Sequence, residues 1–126
     1  MVILKQPAEI DRIRDSNRVV AELLAALQER VKAGVTTLEL DRISEQMVLK
    51  KGAKPAFKGY RGYPFSLCAS VNDEIIHGLP SARVLLEGDI VCLDFGVYYK
   101  GYYGDAAITV PVGKIPPETG SLLKTT

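Results

Sequence analysis

Two runs of alternating residues, joined by a two-residue turn, constrain the fold more than any other part of the sequence. The first run, residues 90–99, has an apolar side chain at every odd position, and the second, residues 102–110, has apolar or small residues at even positions. A period of two is typical of β-strands with one buried face. If residues 100–101 form a tight turn, Tyr99 pairs with Tyr102 and the two buried faces coincide. The sequence therefore predicts an antiparallel hairpin of fixed register.

This register brings two carboxylates together on the other face of the hairpin. Asp94 lies opposite Ala107, so Asp105 is its diagonal neighbour, and no Lys or Arg lies between the two carboxylates on this face. Three interpretations remain open: a bound metal pair, an acid–base dyad that shares a proton, or two solvated acids. The neighbouring residues on this face are too small and apolar for a solvated surface, which favours a bound group; they are Cys92, Gly96, Tyr103 and Thr109.

Two helices are predicted before the hairpin. Apolar residues recur at three- and four-residue steps from Ile10 to Val31, and Gly34 follows, which indicates one long amphipathic helix. Residues 36–39 have capping-box spacing and begin a second helix, which we expect to end near Gly52.

The rest of the chain is predicted to be a loop, a further strand and a short helical start. A Gly- and Tyr-rich loop, residues 57–64, precedes a strand with alternating residues over 66–72. Pro116 and Pro117 are typical of a helix start, but too few residues follow for a helix that is stable by itself. The fold class is therefore α/β (α+β), with two helices packed on a mainly antiparallel sheet.

Composition and net charge limit the classes of partner and the cellular compartment, but they say little about the reaction. The chain has 126 residues and a net charge of +1, which favours neither a nucleic acid nor a membrane surface as partner. The N-terminus has no signal-peptide pattern, and no apolar run is long enough to span a bilayer. Cys68 and Cys92 form no metal or redox motif, so we expect a reducing, cytoplasmic setting.

Two further segments could contribute catalytic or binding residues. His77, the only histidine, lies within residues 72–80 where a strand enters a Gly-Pro turn; it could donate a hydrogen bond to a ligand, or simply stabilise the turn. The 57–64 loop could stack single-stranded nucleic acid, pack onto the domain, or contribute to an apolar pocket. That pocket would be lined by Phe57, Tyr60, Tyr63 and Cys68. Cys68 has no basic partner nearby in sequence and is not expected to be a nucleophile.

Taken in order, these motifs resemble the type I methionine aminopeptidases. The segments that carry the resemblance are Gly-Tyr-Arg-Gly-Tyr-Pro at 59–64, Cys68, the His-Gly-x-Pro ending of 72–80, Asp94, and Gly-Tyr-Tyr-Gly-Asp at 101–105. The resemblance covers essentially the whole chain. It implies a pita-bread fold of two pseudo-symmetric α/β halves with two divalent metal ions (Co, Mn, Fe(II), Zn or Mg) at the seam. Residues 1–126 would then form a single partial domain, the N-terminal half.

The resemblance also implies residue roles. Asp94 and Asp105 are similar to two metal ligands, with Asp105 bridging both ions, and His77 to the histidine that contacts the scissile peptide. Phe57, Tyr60, Tyr63 and Cys68 are similar to the wall of the pocket for the methionine side chain, although many type I enzymes have Cys where this chain has Phe57. The other ligands, one His and two Glu, and the general base belong to a second half that these residues do not contain. The chain alone is therefore expected to be inactive.

The implied substrate is the N-terminal methionine of nascent peptides, hydrolysed with the help of the metal ions, and the resemblance allows proximity to the ribosome. The isolated half is expected to self-associate through the surface that the second half would cover. Two alternatives are a non-catalytic interaction module derived from the same fold, and a prolidase or aminopeptidase P relative.

Overall fold

The computed structural model describes residues 3–74 and 78–125. These residues form three helices, one short 3₁₀ segment at Tyr60–Gly62, and a four-stranded antiparallel sheet. The helices are α1 (Pro7–Gln28), α2 (Thr37–Lys50) and α3 (Pro117–Thr125), and the strands are β1 (Lys54–Pro55), β2 (Leu67–Val71), β3 (Ile90–Tyr99) and β4 (Tyr102–Pro111).

The β3–β4 hairpin has the register that the sequence predicts. Tyr99 pairs with Tyr102 across the turn, and Asp94 pairs with Ala107. Lys100 and Gly101 both have positive φ, as a two-residue hairpin turn requires. The odd residues of β3 face the core and are fully buried from Val91 to Val97, while Tyr99 is half-buried.

Strand β3 is the centre of the sheet. β4 runs along one of its edges, and β1 and β2 share the other, pairing with residues 97–98 and 91–95 respectively. β1 was not predicted from the sequence, because a pairing of two residues has no periodicity to detect. β2 was predicted as an alternating strand, but all five of its residues are buried. Gly78 lies against the backbone of Ala69 and Ser70, and the Tyr63 hydroxyl contacts the Cys68 thiol, so side chains that would otherwise meet solvent are covered.

The hydrophobic core lies between the helices and one face of the sheet. α1 packs on β3 and β4, and α2 packs on β1 and β2. The backbone of α1 comes so close to β4 that a Cβ on Gly104 would lie 2.7 Å from the carbonyl carbon of Ser16. The Ser16 hydroxyl donates a hydrogen bond of 2.9 Å to the carbonyl oxygen of Tyr102. The largest fully buried side chains include Phe95, Leu23, Leu27, Leu40, Leu67, Leu85 and Leu93.

The helix ends agree with the sequence in part. α2 has the predicted capping box, in which the Thr36 hydroxyl accepts from the Glu39 amide, and Gly52 follows the helix with positive φ. α1 ends at Gln28 rather than near Val31, because the amides of Arg30 and Val31 bond to carbonyls three residues back and the chain turns. The predicted helix start at the C-terminal end continues as α3. No helix in the described residues is long and apolar enough to cross a membrane.

Candidate metal site and adjoining cavity

The two carboxylates of the hairpin lie on the sheet face opposite the helices. Asp94 sits between Cys68 of β2 and Ala107 of β4, and Asp105 sits across from Gly96. The two aspartates are therefore diagonal neighbours, with Cα atoms about 7–8 Å apart in a regular antiparallel pair. Asp94 is half-buried and Asp105 is exposed. Both carboxylates can thus reach a group bound on this face.

The carboxylates of Asp94 and Asp105 provide only part of the ligand set that a divalent cation needs. Aspartate oxygens suit hard and borderline cations such as Mg, Mn, Fe(II), Co and Zn. Asp105 takes part in no ion pair within residues 3–74 and 78–125. Over the same residues, no group of three or more His, Cys, Asp or Glu side chains could hold a metal ion. Two carboxylates can contribute to a metal site but cannot complete one, so further ligands must come from elsewhere.

An apolar cavity of about 650 Å³ adjoins the carboxylates. Its size is within the usual range for small-ligand sites. All four residues that the sequence assigns to a pocket line it, together with parts of the same loop and Leu79; the lining is Phe57, Tyr60, Arg61, Gly62, Tyr63, Pro64, Cys68 and Leu79. Because Cys68 pairs with Asp94, one residue of the cavity wall is the direct neighbour of one of the two aspartates.

Tyr63 and Cys68 are held by a short chain of hydrogen bonds. The Tyr63 hydroxyl donates to the carbonyl oxygen of Leu67 at 2.8 Å, and the Cys68 thiol donates to the Tyr63 oxygen at 3.4 Å. Burial, the largest cause, raises the pKa of Tyr63 above its ordinary value, and the contact with Cys68 adds to the effect. Burial likewise raises the pKa of the Cys68 thiol, and nearby Asp94 raises it further. The thiol therefore stays protonated, which argues against a nucleophilic role.

Phe57 separates the cavity from a smaller groove of about 350 Å³ that contains Asp105. Its ring packs on Gly96, where an added Cβ would lie 2.6 Å from the ring's Cε1 atom. The ring occupies space that any other residue at position 96 would fill. Gly96 and Phe57 were each identified from the sequence, but the contact between them was not predicted.

Asp41 is a residue that the sequence analysis missed. Its side chain projects from α2, is only 7% exposed, and accepts hydrogen bonds from the backbone amides of Ser66 and Leu67. Ser44 and Val48, which are both buried, follow Asp41 by three and seven residues in the same helix. This helical spacing was the sequence signal that Asp41 lies on the buried face of α2. His77, in contrast, lies outside the described residues, so its predicted position at the site stays a prediction.

Metallopeptidase family M24 matches residues 11–126, and the chain belongs to that family.

Within the family, the chain is similar to methionine aminopeptidases over its whole length. It is 45% identical over its whole length to methionine aminopeptidase 1 of Bacillus subtilis. Its fold matches the crystal structures of the methionine aminopeptidases of Rickettsia prowazekii (TM-score 0.97, 31% identity) and Thermotoga maritima (TM-score 0.95, 38% identity), each over 100% of this chain. The chain spans 51% of each of these three proteins. The fold is therefore one half of the pita-bread fold, as expected from the sequence.

Proposed function

We propose that this chain supplies half of a metal-dependent aminopeptidase that removes the N-terminal methionine of nascent proteins. The observation that carries the proposal is the position of the Asp94–Asp105 pair beside an apolar cavity. An exopeptidase of this kind needs both parts next to each other, one for the reacting peptide bond and one for the terminal side chain. The similarity to methionine aminopeptidases over the whole chain supports the same activity.

In this proposal Asp94 and Asp105 are ligands of two divalent cations. Bound cations of this kind polarise a peptide carbonyl and lower the pKa of water, which makes peptide hydrolysis possible near neutral pH. The hairpin keeps the two carboxylates on one face with a fixed spacing, so little reorganisation is needed when the cations bind.

The cavity is proposed to take the methionine side chain. Its walls are apolar and aromatic, and thioether sulfur atoms make favourable contacts with aromatic rings. Tyr60 and Tyr63 supply the aromatic rings, and Cys68 adds a small polarisable side chain to the wall. Phe57 forms the boundary of the cavity on the side of Asp105. His77 is proposed to contact the scissile peptide bond, where an imidazole can stabilise developing negative charge on the carbonyl oxygen.

Activity is proposed to require residues that these 126 do not contain, since the candidate site has two carboxylates and the described residues include no group of three or more ligands that could hold a metal ion. The test is to mix this chain with the separately produced remaining half of the Bacillus subtilis relative, add Mn²⁺ or Co²⁺, and measure methionine release from a Met-Ala-Ser peptide. We expect release by the mixture and by neither part alone.

Two variants make this test specific. Asp105→Asn should abolish release, while Asp11→Asn, which removes an exposed carboxylate from α1, should leave it unchanged. A mixture that folds together and binds metal but never cleaves the peptide would overturn the proposal in favour of a non-catalytic interaction module.

The setting is proposed to be the cytoplasm, where the substrates are nascent peptides close to the ribosome.

We further propose that the chain alone self-associates along β4. The outer edge of this ten-residue strand pairs with no other strand in the described part of the chain, and Asp105 is its only charged residue. Long edges with little charge readily pair with another chain. Light scattering should show dimers or larger species, and a stable monomer would contradict this part of the proposal.

A further inference from the structure

The carboxylate of Asp41 connects helix α2 to the first residues of β2. It is almost completely buried, and its Oδ1 atom accepts hydrogen bonds from the amides of Ser66 at 2.7 Å and Leu67 at 2.9 Å. Hydrogen bonds to an ionised acceptor are stronger than those between neutral groups. The two amides are at the point where the 57–64 loop ends and β2 begins. Asp41 therefore fixes the junction between the loop and the sheet.

That junction also determines where two cavity walls lie. The Leu67 carbonyl accepts the hydrogen bond of the Tyr63 hydroxyl, and the next residue, Cys68, donates its thiol hydrogen to the same Tyr63 oxygen. The residues that form these bonds are thus consecutive: Ser66 and Leu67 through their backbone, and Cys68 through its thiol. A displacement of this short segment would move both the phenol and the thiol in the cavity.

We propose that Asp41 is a positioning residue that sets the geometry of the cavity wall formed by Tyr63 and Cys68. It touches neither the cavity nor the paired aspartates in the hairpin, and it acts through the backbone of residues 66–67. The inference rests on the proposed function only in taking the occupant of the cavity to be a methionine side chain. A purely structural role, in which Asp41 stabilises the whole domain equally, is the alternative that the experiment must exclude.

The experiment measures how fast iodoacetamide alkylates Cys68 in a Cys92→Ala background, which leaves one thiol. In the folded chain Cys68 is 4% exposed, so its alkylation reports the opening of the cavity wall. Asp41→Ala leaves two buried amides without their acceptor. We expect it to accelerate alkylation at least tenfold at a denaturant concentration where the chain stays folded. Asp41→Asn keeps an oxygen at the same place and should stay within about threefold of the parent.

A stability-matched control separates local from global effects. Val48→Ala removes fully buried side-chain volume from the same helix but leaves the hydrogen bonds from the Ser66 and Leu67 amides to Asp41 in place, so we expect it to lower stability without loosening the cavity wall. After correction for global unfolding, measured by urea titration of each variant, Val48→Ala should alkylate like the parent. If Asp41→Ala does not fold, Asp41→Ser takes its place, because a serine hydroxyl is too short to reach both amides.

The resonance of the Tyr63 phenol, observed with ¹³C-labelled tyrosine, gives a second measurement. It should shift in Asp41→Ala and hold its position in Val48→Ala. The inference is overturned if Asp41→Ala and Val48→Ala have equal corrected alkylation rates, or if Asp41→Asn accelerates alkylation as much as Asp41→Ala. Neither measurement involves peptide hydrolysis, so a failure of the proposed aminopeptidase activity would leave this result intact, and the reverse also holds.

Discussion

The β3–β4 hairpin and the cavity loop are neighbours, yet different interactions determine their structures. In the hairpin, strand alternation and the turn at Lys100–Gly101 fix which residues pair, and the cross-strand neighbours of Asp94 and Asp105 follow from that register. The loop has no such periodicity. Its end is held by Asp41 from α2, and Phe57 at its start is seated on Gly96 of the sheet.

This difference means that the two parts of the proposed site should respond differently to substitution. The face that carries Asp94 and Asp105 depends on local backbone pairing, so it should persist unless the hairpin or the helix packed on it is disturbed. The cavity depends on a few contacts between residues distant in sequence, so it should change shape while the domain remains folded. Glycine substitutions in the hairpin distinguish the two cases directly.

Gly104→Ala should have the largest effect. The added Cβ would meet backbone atoms of α1 at Ser16 and Asn17, 2.7–2.8 Å away, and neither the helix nor β4 can yield without moving core residues. We expect a loss of about 3 kcal/mol in the free energy of unfolding, measured by urea denaturation. Ala107→Val, an enlargement at an exposed position of the same strand, should change stability little. Equal effects of the two variants would show that α1 does not depend on this close approach.

Gly96→Ala should cost less, below about 1.5 kcal/mol, because the atom it meets is the ring of Phe57 rather than backbone. The ring can rotate away, but it then alters the boundary between the cavity and the groove at Asp105. We expect the hairpin amide resonances to stay near their original positions while those of the 57–64 loop shift. Changes confined to the hairpin would contradict the separation of the two regions.

The pH dependence should show a smaller effect that is confined to the cavity. Burial raises the pKa of Cys68 and of Tyr63, so the folded state favours their protonated forms. Their stabilising contribution is complete below the unfolded pKa values, about 8.5 for Cys and 10 for Tyr, and is lost as the pH rises above them. The variant with Cys68→Ala and Tyr63→Phe should therefore lose less stability between about pH 8.5 and 11. The measurement is the free energy of unfolding of the parent and of the variant at each pH. If the two curves run parallel, neither group is coupled to folding.

The sequence predicted most of the hairpin and less of the cavity, for the same physical reason. Periodicity and turn chemistry are local, so β3, β4 and their register could be read from the residues themselves. The capping box of α2 was predicted on the same basis. β1, the end of α1 and the burial of Asp41 depend on what packs against each segment in three dimensions, which one sequence does not display. The cavity residues were identified by aromatic content and by resemblance, without the contacts that hold them.

The most direct test concerns the Asp94–Asp105 pair itself. Mn²⁺ is paramagnetic, so titrating it into the ¹⁵N-labelled chain broadens the amide signals closest to where it binds. We predict that the signals around Asp94 and Asp105 broaden first, that Asp105→Asn abolishes this preference, and that Asp11→Asn preserves it. Broadening spread over the surface carboxylates without preference for the hairpin, or a pattern unchanged in Asp105→Asn, would contradict the assignment of these two aspartates as one side of a metal site.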